Sequence, residues 1–244
     1  MKLHLDIPLG EETYRIAVKR AANARRFTLR VRAASNDVLL TIPQRSAIAD
    51  AESFAVSNAA WIGARLRRLP QPAPFRDRAI IPVLGVPHQI QHVKSSRGTV
   101  WIESQQLEDD LQENSFLLCV AGDETHLPRR VHDFLKNLAA KEIQSHVAKH
   151  AVSAGRTPAR VTLRDTSSRW GSCSASGCLN FSWRLVFAPE FVVDYLTAHE
   201  VAHLVHLNHS PKFWKLTRML CPQTDRAEAW LNAHGPSLYR YGKE

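Results

Sequence analysis

The chain has 244 residues, is 44% hydrophobic and 23% charged, and carries a formal charge of +9, the composition of a globular protein with a sizeable core. No run approaches the roughly 18 apolar residues of a membrane span, and the opening MKLHLDIPLG is too short and polar for the apolar region of a signal peptide. The four cysteines are therefore expected as reduced thiols in a cytoplasmic protein, and the positive charge suits either a polyanionic partner or simple solubility.

Along the first forty residues, TYRIAVKR, RFTLRVRA and DVLLTIP place apolar side chains at every second position, the period of half-buried strands. AASND supplies the turn between the second and third. From Ser46 to Leu69 the spacing becomes helical, with Ser46 as N-cap and Ile48, Phe54, Trp61, Ile62 and Leu66 as one apolar stripe. PQPAP (70–74) breaks that helix and reads as a linker.

A second strand-rich stretch follows in AIIPVLG, HQIQHV, GTVWIES and SFLLCVAG, with turn signals at Gly85, KSSRG and LEDDLQEN. Helical spacing returns from Pro128 to about Ser153, then RVTLRD reads as a strand and RWGSCSASGCLNFSWRLVFAP as a hairpin turning at SASG. From Pro189 onward every segment reads as helix. No repeat of fixed period is visible. The expected class is α+β: a β-rich region with one amphipathic helix (1–74), a second strand-rich region (75–127) and a helical domain with a small antiparallel sheet (128–244).

The chemistry concentrates in YLTAHEVAHLVHLNHSPKFW, which holds four of the twelve histidines. Around PEFVVDYLTAHEVAHLVHLN the apolar residues cover all sides, so the helix is expected to be buried. Histidines and a glutamate inside it need a partner, and a metal would provide one. In His199-Glu200-x-x-His203 the two imidazoles stand one turn apart and can share an ion, while Glu200 lies 100° round the helix, placed for a metal-bound water. His206 shares their face but lies about 10.5 Å from His199 at about 1.5 Å rise per residue. A third ligand must then come from beyond the helix. His209 is preferred, because Asn208 suits a left-handed helix end and Ser210-Pro211 a new helix start; Glu228 in RAEAWL is the rival.

RWGSC (169–173), LNFSWRLVFAP, HEVAH and NHSPKFW together closely resemble the YgjP-like metallopeptidase family, a bacterial and archaeal group related to the WLM and SprT-like zinc peptidases. The N-terminal strands ending in IP, the helix with WI and the helix before RVTLRD follow the family's order. The resemblance implies a zincin-like metallopeptidase domain over 128–244, Zn2+ on His199, His203 and His209, Glu200 as general base, and the RWGSC hairpin beside the site. One departure, Cys178 after Gly177 in place of a polar residue, touches no proposed ligand.

On this reading the protein hydrolyses peptide bonds. A strand edge at RWGSC would hold an extended peptide or protein substrate through main-chain hydrogen bonds. Arg169, Trp170, Gly171 and His206 are the candidate substrate or oxyanion contacts, with Tyr195, Tyr239 and Tyr241 as further donors; Arg169 could instead pair with an acid of its own fold, and Trp170 and Trp183 could be core. A second reading makes the N-terminal region a nucleic-acid contact, with zinc partly structural. Seven cations and no acid lie between Tyr14 and Asn36: Arg15, Lys19, Arg20, Arg25, Arg26, Arg30 and Arg32. The C-x4-C pair Cys173 and Cys178 lacks a second pair for a zinc knuckle, and His146 and His150 are expected at the surface.

Overall fold

In a computed structural model, residues 3–9, 11–94, 99–105 and 115–243 are described. The chain divides into two compact units, Met1–Gln71 and Pro72–Glu244. The class is α+β, as expected.

In the first unit, β1 (Leu3–Leu9), β2 (Glu12–Ala21), β3 (Thr28–Arg32) and β4 (Asp37–Pro43) form a sheet ordered β1-β2-β4-β3, with β2 and β4 parallel. β4 shows why: Val38, Leu40 and Ile42 alternate inward onto a core that includes Ile7, Ile16 and Ile62. The turn into β4 places Asn36 at a φ of 50°, and the hairpin is closed by Arg32 forking onto Asp37. Arg20 donates to the carbonyls of Gln44 and Ser46, each at 2.8 Å. Two of the seven clustered cations are thus committed within the unit.

The helix expected from Ser46 to Leu69 is two helices, α1 (Ile48–Ser57) and α2 (Ala59–Arg67). Asn58 interrupts it, and its side-chain amide donates to the Phe54 carbonyl at 2.7 Å. The break shifts the buried face to Ala59, Ile62 and Gly63, leaving Trp61 43% exposed instead of in the stripe. The cap position is Ala47, one residue after Ser46.

The second unit opens with β5 (Ile80–Val83), β6 (Val86–Val93), β7 (Val100–Gln105) and β8 (Ser115–Ala121), ordered β5-β6-β8-β7 with β6 and β8 parallel. Strand order and pairing sense repeat those of the first sheet without any sequence repeat, because pairing demands only alternation, not particular residues. The turns expected in KSSRG and LEDDLQEN fall largely or wholly outside the described residues. α3 (Leu127–Ala154) starts with Pro128 in its first turn and ends at Gly155, whose φ of 61° gives the left-handed stop. Its buried stripe is Val131, Leu135, Ala139, Ile143, Val147 and Ala151.

β9 (Arg160–Arg164), β10 (Gly171–Cys173) and β11 (Cys178–Ser182) form a sheet ordered β10-β11-β9. β10 and β11 make the expected antiparallel hairpin, while β11 and β9 run parallel, so this small sheet is mixed where the sequence reading expected an antiparallel one. A buried 3-10 segment, Trp183–Phe187, leads to α4 (Glu190–Ala202), α5 (Pro211–Leu220) and α6 (Thr224–His234), then to a last 3-10 segment, Gly235–Arg240. α3 packs along α4, and both share one core with Leu118, Phe181, Phe187 and Phe213. All four cysteines are unpaired. Among the described residues no helix is long and apolar enough to cross a membrane.

Candidate metal centre

α4 begins after Pro189 and is buried on all sides by Val192, Val193, Tyr195, Leu196, Ala198, Val201 and Ala202. It is shorter than the sequence suggested. The helix stops at Ala202, and the amides of Leu204, Val205 and His206 bond back to Val201 and Ala202 in a tightened turn. Asn208 is not among the residues with positive φ, so no left-handed stop occurs there. The physical reason is local. His203 Nδ1 lies 3.1 Å from the His206 carbonyl, which that early turn brings within reach. A proton on Nδ1 serves this bond and leaves Nε2 with its lone pair. Height along a continuous helix is therefore not what sets His206 apart; its carbonyl supports His203, and its ring is outside the donor group described below.

After the turn, Ser210 caps α5 by accepting the Phe213 amide at 3.4 Å, with Pro211 in the first turn, as expected. This cap aims His209 and Phe213 back at α4. The fully buried Phe213 ring lies 4.9, 4.5 and 4.8 Å from the rings of His199, His203 and His209, walling them on one side.

One ring nitrogen from each of His199, His203 and His209 lies within 4.8 Å of the others, and the Nε2 atoms of His199 and His209 are 3.2 Å apart. Two imidazoles on a tetrahedral ion with bonds near 2.05 Å would place their nitrogens about 3.3 Å apart. Burial, then the neighbouring histidines, pushes the His199 pKa down to about 4, and burial also lowers that of His203. Both are held neutral, the form that ligates. The set fits a zinc-type ion.

Glu200 is only 4% exposed, and its Oε2 is buried without a hydrogen-bond partner. Burial raises its pKa to about 8, against a lowering pull from Arg169. β10 passes directly over it: a Cβ on Gly171 would lie 2.8 Å from the Glu200 carboxyl carbon. Only glycine admits this approach.

The other candidate contacts separate. Arg169 is exposed and near enough to act on the Glu200 charge. Trp170 stacks on Tyr239 at 4.8 Å and is half-buried. Tyr239 donates its hydroxyl to the Thr166 carbonyl at 2.9 Å, and Tyr195, 3% exposed, gives its own to Glu228 at 2.9 Å. Both hydroxyls are already committed. Glu228, the rival third ligand, lies outside the histidine group and serves Tyr195 instead. An internal arginine ion pair does exist, but through Arg184, which grips Asp165 at 2.7 and 3.1 Å and donates to the Tyr241 carbonyl.

His146 and His150 are not at the surface. They bracket Asp194 of α4, with ring nitrogens 3.0 and 2.8 Å from its Oδ1, and His150 is 1% exposed. Burial alone would raise the Asp194 pKa, but hydrogen bonds from His146, His150 and Cys221 outweigh it and hold the carboxyl far below the usual range. The i, i+4 spacing of the two histidines was the available signal. Their acceptor, from a different helix, was not visible in it.

A family model described as "YgjP-like, metallopeptidase domain" matches residues 25–234. The chain belongs to the YgjP-like metallopeptidase family. A search of curated proteins finds no significant match. Among solved structures, the chain is similar to the metallopeptidase zymogen jannalysin of Methanocaldococcus jannaschii, at 19% identity and a TM-score of 0.34 over 37% of this chain and 94% of that one. It is likewise similar to the metallopeptidase zymogen abylysin of Pyrococcus abyssi, at 20% identity and a TM-score of 0.35 over 41% of this chain and 97% of that one. Membership identifies this YgjP-like chain as a metal-dependent peptidase, and the matched span includes the whole histidine cluster.

Proposed function

We propose that the protein is a zinc metallopeptidase of the HExxH type, with His199, His203 and His209 as ligands and Glu200 as general base. The observation that carries this reading is the convergence of three imidazoles, those of His199 and His203 held neutral by burial, beside a buried carboxylate with an unpartnered oxygen. Bound by these residues, zinc would acidify a coordinated water and polarise a scissile carbonyl.

The chain's own residues supply the rest. Glu200 Oε2, free of any protein donor, takes the proton from the attacking water and later delivers it to the leaving amine nitrogen. Arg169 already pulls against the burial that raises the Glu200 pKa, and a zinc ion held by the three histidines would add to that pull and favour the ionised base. β10 is the outer strand of its sheet, and its free edge can pair with an extended peptide regardless of side chains. With the Tyr195 and Tyr239 hydroxyls engaged elsewhere, Arg169, His206 and Tyr241 remain as the candidates for stabilising the tetrahedral oxyanion. The four unpaired thiols support a reducing, cytoplasmic setting.

Glu200→Gln tests the reading directly. The variant should retain one zinc per chain and lose casein hydrolysis; cleavage at the wild-type rate would refute the mechanism.

A further inference from the structure

We propose that Tyr195 and Glu228 are positioning residues that set the tautomer and orientation of His199 as a metal ligand; the inference rests on the zinc reading above. Tyr195 lies one helical turn before His199 on α4, and Glu228 comes from α6. The Tyr195 hydroxyl is 2.9 Å from Glu228 Oε1 and 3.4 Å from His199 Nδ1.

Proton counting orders this chain. A phenol has one proton, and the carboxylate, a charged and acceptor-only group, takes it in preference to a neutral ring nitrogen. The Tyr195 oxygen then meets His199 Nδ1 with a lone pair, so Nδ1 must carry the imidazole proton. That leaves Nε2 unprotonated, on the side where His209 Nε2 lies 3.2 Å away. The order His199 to Tyr195 to Glu228 thus prepares the nitrogen that a metal needs. It does for His199 what the His206 carbonyl does for His203.

Outer partners of this kind raise the basicity of a ligating imidazole and hold its ring, and their loss typically weakens metal binding about 10- to 100-fold. A mere clamp between α4 and α6 would give the same Tyr195–Glu228 bond but would leave metal affinity untouched. Buried position supports the first role: Tyr195 is 3% exposed, so no water can stand in for its hydroxyl without rearrangement.

The test is zinc affinity of the full chain, measured by competition with a chelating dye, together with the unfolding midpoint of the metal-free protein. Tyr195→Phe keeps the ring and should bind zinc about 10- to 100-fold more weakly. Glu228→Gln, a milder change that keeps an acceptor, should weaken it less. Because Glu228 acts through the hydroxyl, Tyr195→Phe combined with Glu228→Gln should be no worse than Tyr195→Phe alone. Zinc affinity in Tyr195→Phe and Glu228→Gln within twofold of wild type overturns the proposal while leaving the zinc reading intact. Additive losses in the double variant overturn the relay. A wild-type chain that takes up no zinc overturns the zinc reading and this inference with it.

Discussion

Gly171 and Glu200 are in such close register that a methyl group on the glycine would lie 2.8 Å from the carboxyl carbon of the glutamate. The edge strand and the proposed base are therefore built against each other, and the absence of a side chain at position 171 sets where the carboxylate rests. Gly171→Ala should displace Glu200 and lower kcat at least about tenfold, since small misplacements of a catalytic group are costly. Zinc content should stay at the wild-type level. Full activity in this variant would show that the contact does not hold the base.

The metal-free protein should lose stability as pH rises from about 6.5 to 8. Glu200 has a folded-state pKa of about 8 against an ordinary 4.5, so its contribution is complete below about 4.5 and lost as pH rises through about 8. His199 works oppositely: with its pKa pushed down from 6.5 to about 4, its contribution is complete above 6.5 and lost as pH falls through about 4. The two slopes oppose each other at lower pH, and only Glu200 changes between 6.5 and 8. Urea midpoints should decline across that window in wild type and stay level in Glu200→Gln. A level wild-type profile would contradict the assignment.

Ligand variants should separate His209 from Glu228. His209→Ala should lose bound zinc on ordinary purification, whereas Glu228→Ala should still fill at saturating zinc, because only the histidine belongs to the converging group. Excess zinc should stabilise the wild-type chain by about 4 kcal/mol at a thousandfold excess over Kd, read as a raised Tm, with no such rise in His209→Ala.

Asp194→Ala should destabilise the second unit by about 2–4 kcal/mol in denaturant unfolding, because it strips the acceptor from buried His150 as well as from His146. The loss should appear in the metal-free protein, since Asp194 lies outside the His199–His203–His209 group and acts here through its hydrogen bonds. An unchanged midpoint would mean that the two histidines find other partners.

Alternation and helical spacing in the sequence located most of the strands and the long α3, because those periods report a buried face directly. They missed the breaks. Asn58 splits one expected helix, and the turn after Ala202 ends another, each through a hydrogen bond to a nearby carbonyl that spacing does not encode. β1 also went unread, although its residues pair with β2 from Leu3 to Leu9.

For the site, His199, Glu200 and His203 were legible because helix geometry alone brings residues four apart to one side and turns their neighbour away. His209 was legible only in part: the Ser210-Pro211 cap predicted a new helix start, but not that Phe213 would seat the imidazole 3.2 Å from its partner nitrogen. Everything contributed by another element was decided by tertiary structure. Gly171 over Glu200, Glu228 behind Tyr195, and Asp194 between two histidines of α3 are contacts between segments far apart in sequence. Local periodicity carries no record of which segments meet. Packing makes that choice, and with it decides which protons and charges the buried histidines and carboxylates hold.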